Sequence, residues 1–295
     1  MSISKCPLCG KEDLEKNINV KDHTVSLSYF ELAECKSCGF LFTLHPPNAE
    51  TIGAYYQSVD YISHSDSSTV FLNSIYQIVR KRAVSSKRKL LFKTTGKKSG
   101  SILDYGCGTG SFLNEMKSAG WRVAGIEPDA SARQKAIDQT GVLVEVPSYL
   151  NNMQSGSMDA ITMWHVLEHV HDLHQTINEC LRILKDDGVL IVAVPNHSSF
   201  DAAHYKAFWA AFDVPRHLYH FSPDTMKKLM NMHGMSIVKI LPMWYDSFYV
   251  SLLSEKYKHG KTKILSAIFI GVISNFKAFL TPGVCSSQIY VIRKN

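Results

Sequence analysis

The stretch SILDYGCGTG (101–110) passes from apolar residues into three glycines at alternate positions, with Asp104 two residues before the first. An apolar run that ends this way reads as a buried strand handing over to a helix. The glycines let a ligand approach the backbone closely, and the free N–H groups of the following helix attract an anionic group. Outward from this turn, short strands alternate with helical patterns. SFLNEMKSAG, SARQKAIDQTG and DLHQTINECLRILKDDG read as helices, and RVAGIE, VLVEV, MDAITMW and GVLIVAVP as strands. In the third helix Asp172 and Gln175 have capping-box spacing, and Leu173, Ile177, Cys180, Leu181 and Leu184 form its apolar stripe. Such alternation predicts an α/β fold, a doubly wound, mostly parallel sheet covered by helices on both faces. MSIVKIL and SQIYVIRK add two late strands, and a helix with Ser222 as N-cap and Pro223 at its first position precedes them.

The bulk numbers suit this reading. The chain has 295 residues, 45% hydrophobic and 20% charged, enough for one large domain plus a small module. A net charge of +6 permits anionic partners without requiring them. MSISKCPLCG has no apolar signal core, and no uninterrupted apolar run reaches the roughly 20 residues of a membrane span. Seven cysteines in a chain without a signal peptide point to metal or buried thiols, so a cytoplasmic location is expected.

Gly106, Gly108 and Gly110 give G-x-G-x-G, and Ser111 stands where a dinucleotide-binding G-x-G-x-x-G would place its third glycine. Preceded by Asp104, this pattern resembles motif I of class I S-adenosylmethionine-dependent methyltransferases. Three further segments are similar to small-molecule methyltransferases, including those of ubiquinone biosynthesis: DAITMWHVLEHVHD (159–172), LKDDGVLIVAVPN (184–196) and DVPRHLYHFSPDTM (213–226). The likeness covers roughly residues 99–240 and the last strand. It implies a Rossmann-like methyltransferase fold with S-adenosylmethionine on the glycine turn. Asp104 suits a ligand that carries an ammonium and a sulfonium, and Glu127, twenty-three residues on, suits the ribose hydroxyls. By the resemblance, Tyr149 and Leu150 flank the adenine, although PSYLNNM lacks the acidic residue many relatives place there.

Cys6-x-x-Cys9 and Cys35-x-x-Cys38, with twenty-five residues between the pairs, supply the four thiolates of a structural zinc ribbon. HVLEH (165–169) also satisfies H-x-x-E-H, a zinc-peptidase pattern that needs both histidines on one helical face. Here the cap at Asp172 starts the helix after His169, so the pattern straddles a turn. A non-catalytic binding module is a further alternative, and it would lack a base near the donor methyl. For methyl transfer the candidates are His165, which the resemblance places toward substrate and donor, and a second polar cluster of Arg216, His217 and His220. Which histidine acts as base stays open.

The expected organisation is a ribbon-like module over 1–45, a helical linker over 46–98 and a methyltransferase domain over 99–295 with a helical insertion near 251–282. The linker helix carries Phe71, Ile75, Ile78, Val79 and Leu90 at helical spacing, and its basic residues read as a solvated face. The expected reaction is methylation of a small molecule, more at oxygen than at carbon or nitrogen, with RNA as the runner-up acceptor. In KILSAIFIGVISNFKAFL (263–280) an apolar face follows helical spacing behind Lys256, Lys258, Lys261 and Lys263. It reads first as a helix packed on the core by that face. The alternative is a helix lying at the periphery of an anionic membrane or roofing a hydrophobic acceptor.

Overall fold

The computed structural model describes residues 3–56, 70–281 and 283–295, and the side chains of its first long helix only from residue 82 onward. Phe71, Ile75, Ile78 and Val79 therefore lie outside the described side chains.

Seven strands form one sheet. In chain order they are β4 (Ser101–Tyr105), β5 (Arg122–Ile126), β6 (Val144–Glu145), β7 (Met158–Trp164), β8 (Leu184–Pro195), β10 (Met235–Pro242) and β11 (Ser287–Lys294), arranged β10-β11-β8-β7-β4-β5-β6. The five strands from β4 to β8 run parallel, and β11 enters antiparallel between β8 and β10. Ile102, Leu103, Ile161, Met163, Leu190 and Val192 are all inaccessible to solvent, because helices cover both faces. Each such side chain contributes about 1.5–3 kcal/mol by leaving water, which explains near-continuous apolar strands rather than alternating ones.

The covering helices are α1 (Val70–Thr95), α2 (Ser111–Ser118), α3 (Ala130–Thr140), α4 (Leu173–Ile183), α5 (Phe200–Tyr205) and α6 (Pro223–Met232). Asp172 caps α4 by accepting from Gln175 N at 3.2 Å. Ser222 and Thr225 form a reciprocal capping box at the start of α6. The C-terminal half of α1 is part of the main body. Leu91 is fully buried, and Phe92 stacks on Trp121 with ring centroids 6.1 Å apart. α4 is shorter than its sequence pattern suggests. Leu184 already pairs with Met158, so LKDDG enters the sheet as the start of β8.

A second, antiparallel sheet holds the N-terminal residues. Its strands are β1 (Leu14–Lys21), β2 (Tyr29–Cys35), β3 (Leu41–Thr43) and β9 (Tyr219–His220), in that order. The last comes from the other end of the chain, with Leu41 opposite His220 and Phe42 opposite Tyr219. The N-terminal sheet is thus completed by a strand from far beyond residue 45.

Between β10 and β11 lie α7 (Asp246–His259) and α8 (Ile264–Leu280). The helix at 263–280 packs on the body through α7 and α5, as expected, but by the face opposite to the apolar one. Leu265 is 85% exposed and Phe279 74%, and Phe269 and Phe276 also face outward. The face turned inward carries Ala267, Ile270, Gly271, Ser274 and Ala278. The reason is close approach plus polar pairing. A Cβ on Gly271 would stand 2.6 Å from the Phe248 ring, and Ser274 Oγ donates to Asp201 Oδ1 at 2.7 Å. Ser266 Oγ likewise donates to Glu255 Oε1 at 2.6 Å. Among the described residues no helix is long and apolar enough to cross a membrane.

Candidate active site

From β4 the chain continues to β5 and β6 on one side, then returns to β7 and β8 on the other. The ends of β4 and β7 therefore flank the point where strand order reverses, and open α/β sheets bind ligands beyond the carboxyl ends of strands there. The glycine turn sits at this point. Gly106 and Gly110 both adopt left-handed φ, 74° and 81°. A Cβ on Gly106 would lie 2.3 Å from Val166 Cγ2, so only glycine lets the loop after β7 settle on the turn.

Two carboxylates face the turn. Asp104 is buried and accepts from Thr162 Oγ1 at 2.6 Å. Burial pushes its pKa up to about 6, with the Thr162 hydrogen bond and the Lys87 charge pulling the other way. Glu127, just past β5, accepts from Gly108 N at 2.8 Å and Asp129 N at 3.0 Å, which fixes the turn against the second strand. Burial raises its pKa despite those two donors. Tyr149 lies partly exposed and Leu150 buried in the 3₁₀ turn Pro147–Asn152.

His165, just past β7, has a left-handed φ of 57°. Its Nε2 is 3.0 Å from Asp246 Oδ2, and its Nδ1 is 3.4 Å from Glu168 Oε1. Burial opposes the charge on this ring, but the two carboxylates outweigh it and push the pKa up to about 10. Leu167–His169 is a single 3₁₀ turn, so His165 and His169 do not share the helical face a zinc peptidase needs.

The segment 213–220 brings His217 beside His169, with ring centroids 4.6 Å apart. Leu218 N donates to Glu168 O at 2.8 Å and ties the two loops together. Arg216 faces elsewhere. It is buried, with Nε donating to Asp213 Oδ2 at 3.0 Å and Nη1 to Tyr55 O at 2.8 Å. His220 sits in β9, its Nε2 3.3 Å from Thr43 Oγ1, and burial takes its pKa well below the usual value. The structure therefore brings Asp104, Glu127 and His165 around the glycine turn and places His217 beside His169 and Glu168, in the turn that follows His165. It sets Arg216 and His220 in the packing behind.

Sequence reasoning missed Asp246, Glu168, His169 and Lys87 as members of this constellation. Lys87 had been grouped with a solvated basic face, yet its Nζ lies 4.4 Å from the Trp164 ring centroid, close enough to act on both Asp104 and Asp246. Only HVLEH itself carried a local signal for Glu168 and His169.

Where β1 begins and β2 ends, the sulfurs of Cys6, Cys9, Cys35 and Cys38 gather within 4.8 Å of one another. Cys6 to Cys38 and Cys9 to Cys35 are each 3.6 Å. Sulfurs about 2.3 Å from a tetrahedral zinc stand about 3.8 Å apart, so the donor set fits the ion with little movement. The four-cysteine cluster is consistent with a zinc ribbon. It leans on the larger unit, as His174 Nε2 donates to Pro7 O at 3.0 Å and Leu8 O at 3.1 Å.

Residues 76–240 match the family model described as a methyltransferase domain. The chain belongs to that methyltransferase family. This methyltransferase is 31% identical over 169 residues to a probable S-adenosylmethionine-dependent methyltransferase of Mycolicibacterium smegmatis, covering 54% of this chain and 60% of that protein. It is 28% identical over 149 residues to a ubiquinone biosynthesis O-methyltransferase of Maricaulis maris, covering 46% and 59%. The methyltransferase thus spans 60% or less of the length of these curated relatives. Its fold is similar to geranyl diphosphate C-methyltransferase from Streptomyces coelicolor, with a TM-score of 0.55 and 15% identity over 85% of this chain and 100% of that one. Magnesium protoporphyrin IX methyltransferase from Synechocystis also gives 0.55, at 14% identity over 84% and 100%. At these identities the likeness is one of fold.

Proposed function

We propose that this methyltransferase moves a methyl group from S-adenosylmethionine to a small-molecule acceptor, at oxygen. The observation that carries the donor assignment is Glu127. It is a nearly buried carboxylate at the end of the second strand, bonded to the glycine turn at the strand-order reversal. In this reading Glu127 accepts the ribose hydroxyls and Asp104 answers the ammonium. Gly106, Gly108 and Gly110 admit the methionine portion, and Tyr149 and Leu150 line the adenine. The donor supplies a methyl on a sulfonium. The acceptor oxygen forms the new C–O bond while the C–S electron pair returns to sulfur, and the acceptor proton leaves to solvent.

The chain's own contribution is orientation and charge. His165, kept cationic by Asp246 and Glu168 on its two ring nitrogens, is not suited to removing a proton from the acceptor, because a base must be unprotonated. Oxygen as the site of methylation is supported by the ubiquinone biosynthesis O-methyltransferases among the relatives. Arg216 and His220 act as positioning residues, bracing the segment that carries His217. Calorimetry with S-adenosylmethionine, S-adenosylhomocysteine and NAD tests the donor. Binding of the first two and not the third is expected, and equal or exclusive binding of NAD refutes the reading.

The outward apolar face of α8 extends the proposal to a partner. Exposed Leu265, Phe269, Phe276 and Phe279 lie beside exposed Lys258, Lys261 and Lys263, the composition of a helix that rests on an anionic lipid surface. This supports peripheral attachment at a membrane that carries the acceptor.

A further inference from the structure

A cavity of about 200 Å³ lies between the end of β10, the start of β11 and the C-terminal end of α8. Its walls include Ile240, Pro242, Trp244, Ala278 and Phe279, and none of the residues that line it is charged. An apolar cavity of about 150 Å³ holds one benzene ring, whereas whole small-molecule sites run to about 300–1,000 Å³. The space therefore takes one end of a ligand and leaves the rest outside. Trp244 and Phe279 are each part wall and part surface, 40% and 74% exposed. Phe279 also belongs to the outward face of α8 with Leu265, Phe269 and Phe276, so that apolar face runs up to the cavity.

One polar side chain interrupts the apolar wall. Gln288 is 1% exposed, and its Oε1 accepts no hydrogen bond among the described residues. Its Nε2 donates to Cys285 O at 3.4 Å. Turning the amide over does not help, because Oε1 would then face a carbonyl that cannot donate. A buried amide oxygen without a donor is unfavourable, and here it stands beside a space large enough to admit one. We propose that this cavity binds a long-chain alcohol, with the hydroxyl inward on Gln288 Oε1 and the chain passing Trp244 and Phe279 onto the outward face of α8. A carboxylate or phosphate head does not suit, since no cation lines the space to answer its charge. That the alcohol comes from a lipid surface rests on the peripheral attachment of α8 proposed above, whereas the chemistry of the cavity does not. The site is distinct from the donor turn but adjoins it. Ser287, the residue before Gln288, hydrogen-bonds to Asp246, which pairs with His165.

The test titrates the full chain by calorimetry with octanol and with its isomer heptyl methyl ether, which has the same atoms but no donor. The alcohol should bind about tenfold more tightly. Gln288→Leu should cut the affinity for octanol to that for the ether, and Ala278→Phe, which fills the space, should abolish binding of both. Affinity for S-adenosylhomocysteine and the melting temperature should stay at parent values in both variants. A failure of this site is thereby distinguished from a failure of the donor assignment. Should a variant not fold, a photoreactive diazirine analogue of octanol decides on the parent, where it should label Ile240, Trp244 or Phe279. Anionic vesicles that contain hexadecanol should hold the parent more tightly than vesicles without it, and Gln288→Leu should lose only that difference. Phe269→Glu should weaken vesicle binding and leave octanol binding in solution intact. No octanol binding, equal affinity for the ether, indifference to both cavity substitutions, labelling elsewhere, or no gain from hexadecanol overturns the proposal.

Discussion

Glu127→Ala is the most direct probe of how the glycine turn binds its donor. The carboxylate is 8% exposed and already accepts two backbone N–H groups, at 2.8 and 3.0 Å. Its remaining lone pairs are those assigned to the ribose hydroxyls. A hydrogen bond to a charged group is worth about 1.5–3 kcal/mol net, so two lost together cost at least about 3 kcal/mol. At 1.4 kcal/mol per factor of ten, affinity should fall by about two decades. The substitution also frees Gly108 N and Asp129 N, which loosens the turn and adds to the loss. Glu127→Gln keeps the volume and one acceptor oxygen but turns an amide N–H₂ toward one of those donors, so an intermediate loss is expected. Isothermal calorimetry with S-adenosylhomocysteine reads the affinity, and circular dichroism checks that the sheet remains. If Glu127→Ala binds within about threefold of the parent, the carboxylate serves the turn alone and the ribose assignment is wrong.

Three other outcomes can be measured alongside. Burial holds Asp104 up to about 6 in the unliganded fold, so ionising it costs stability as pH rises from the usual carboxylate range through 6. A cationic ligand favours the ionised form, so donor affinity should fall as pH drops through about 6. Asp104→Asn should flatten that dependence, and an unchanged pH profile would remove Asp104 from the site. Cys35→Ser should lose one zinc per chain by metal analysis and lower the melting temperature, while the chain still binds S-adenosylhomocysteine; fresh parent protein without zinc refutes the ribbon. Phe269→Glu should reduce binding to anionic vesicles at low salt, where nearby lysines contribute about 1 kcal/mol each. A parent that ignores such vesicles, or one that self-associates through α8 instead, defeats the membrane assignment.

What the sequence made legible was local or strongly periodic. SILDYG, MDAITMW and GVLIVAVP show buried parallel strands because both faces of each are apolar, and the glycine turn declares itself by spacing alone. Glu127 was found because a strand–helix unit has a nearly fixed length, which puts the second strand's end a known distance past the turn. Asp246 stayed hidden because it reaches His165 across eighty-one residues of chain, and no periodicity links a helix start to a distant strand end. Lys87 misled for a different reason. Its neighbours are basic and solvated, but its own ammonium turns under onto Trp164. The helix at 263–280 shows the limit of amphipathic patterning. The pattern located two faces, but Asp201 and Glu255, waiting inside for serine hydroxyls, reversed which face is buried.

The borrowed strand β9 has a consequence for how such a chain can be cut and recombined. Thr43 donates its hydroxyl to His217 O at 2.8 Å, so the third strand of the cysteine sheet grips the segment that presents His217. A splice after residue 45 would leave Tyr219 and His220 as an unpaired edge and strip that grip away. The two ends of the chain are therefore not interchangeable cassettes. A foreign N-terminal module could replace this one only by supplying a strand of matching register, and a free-standing ribbon excised from here would expose an open edge ready to pair with another chain.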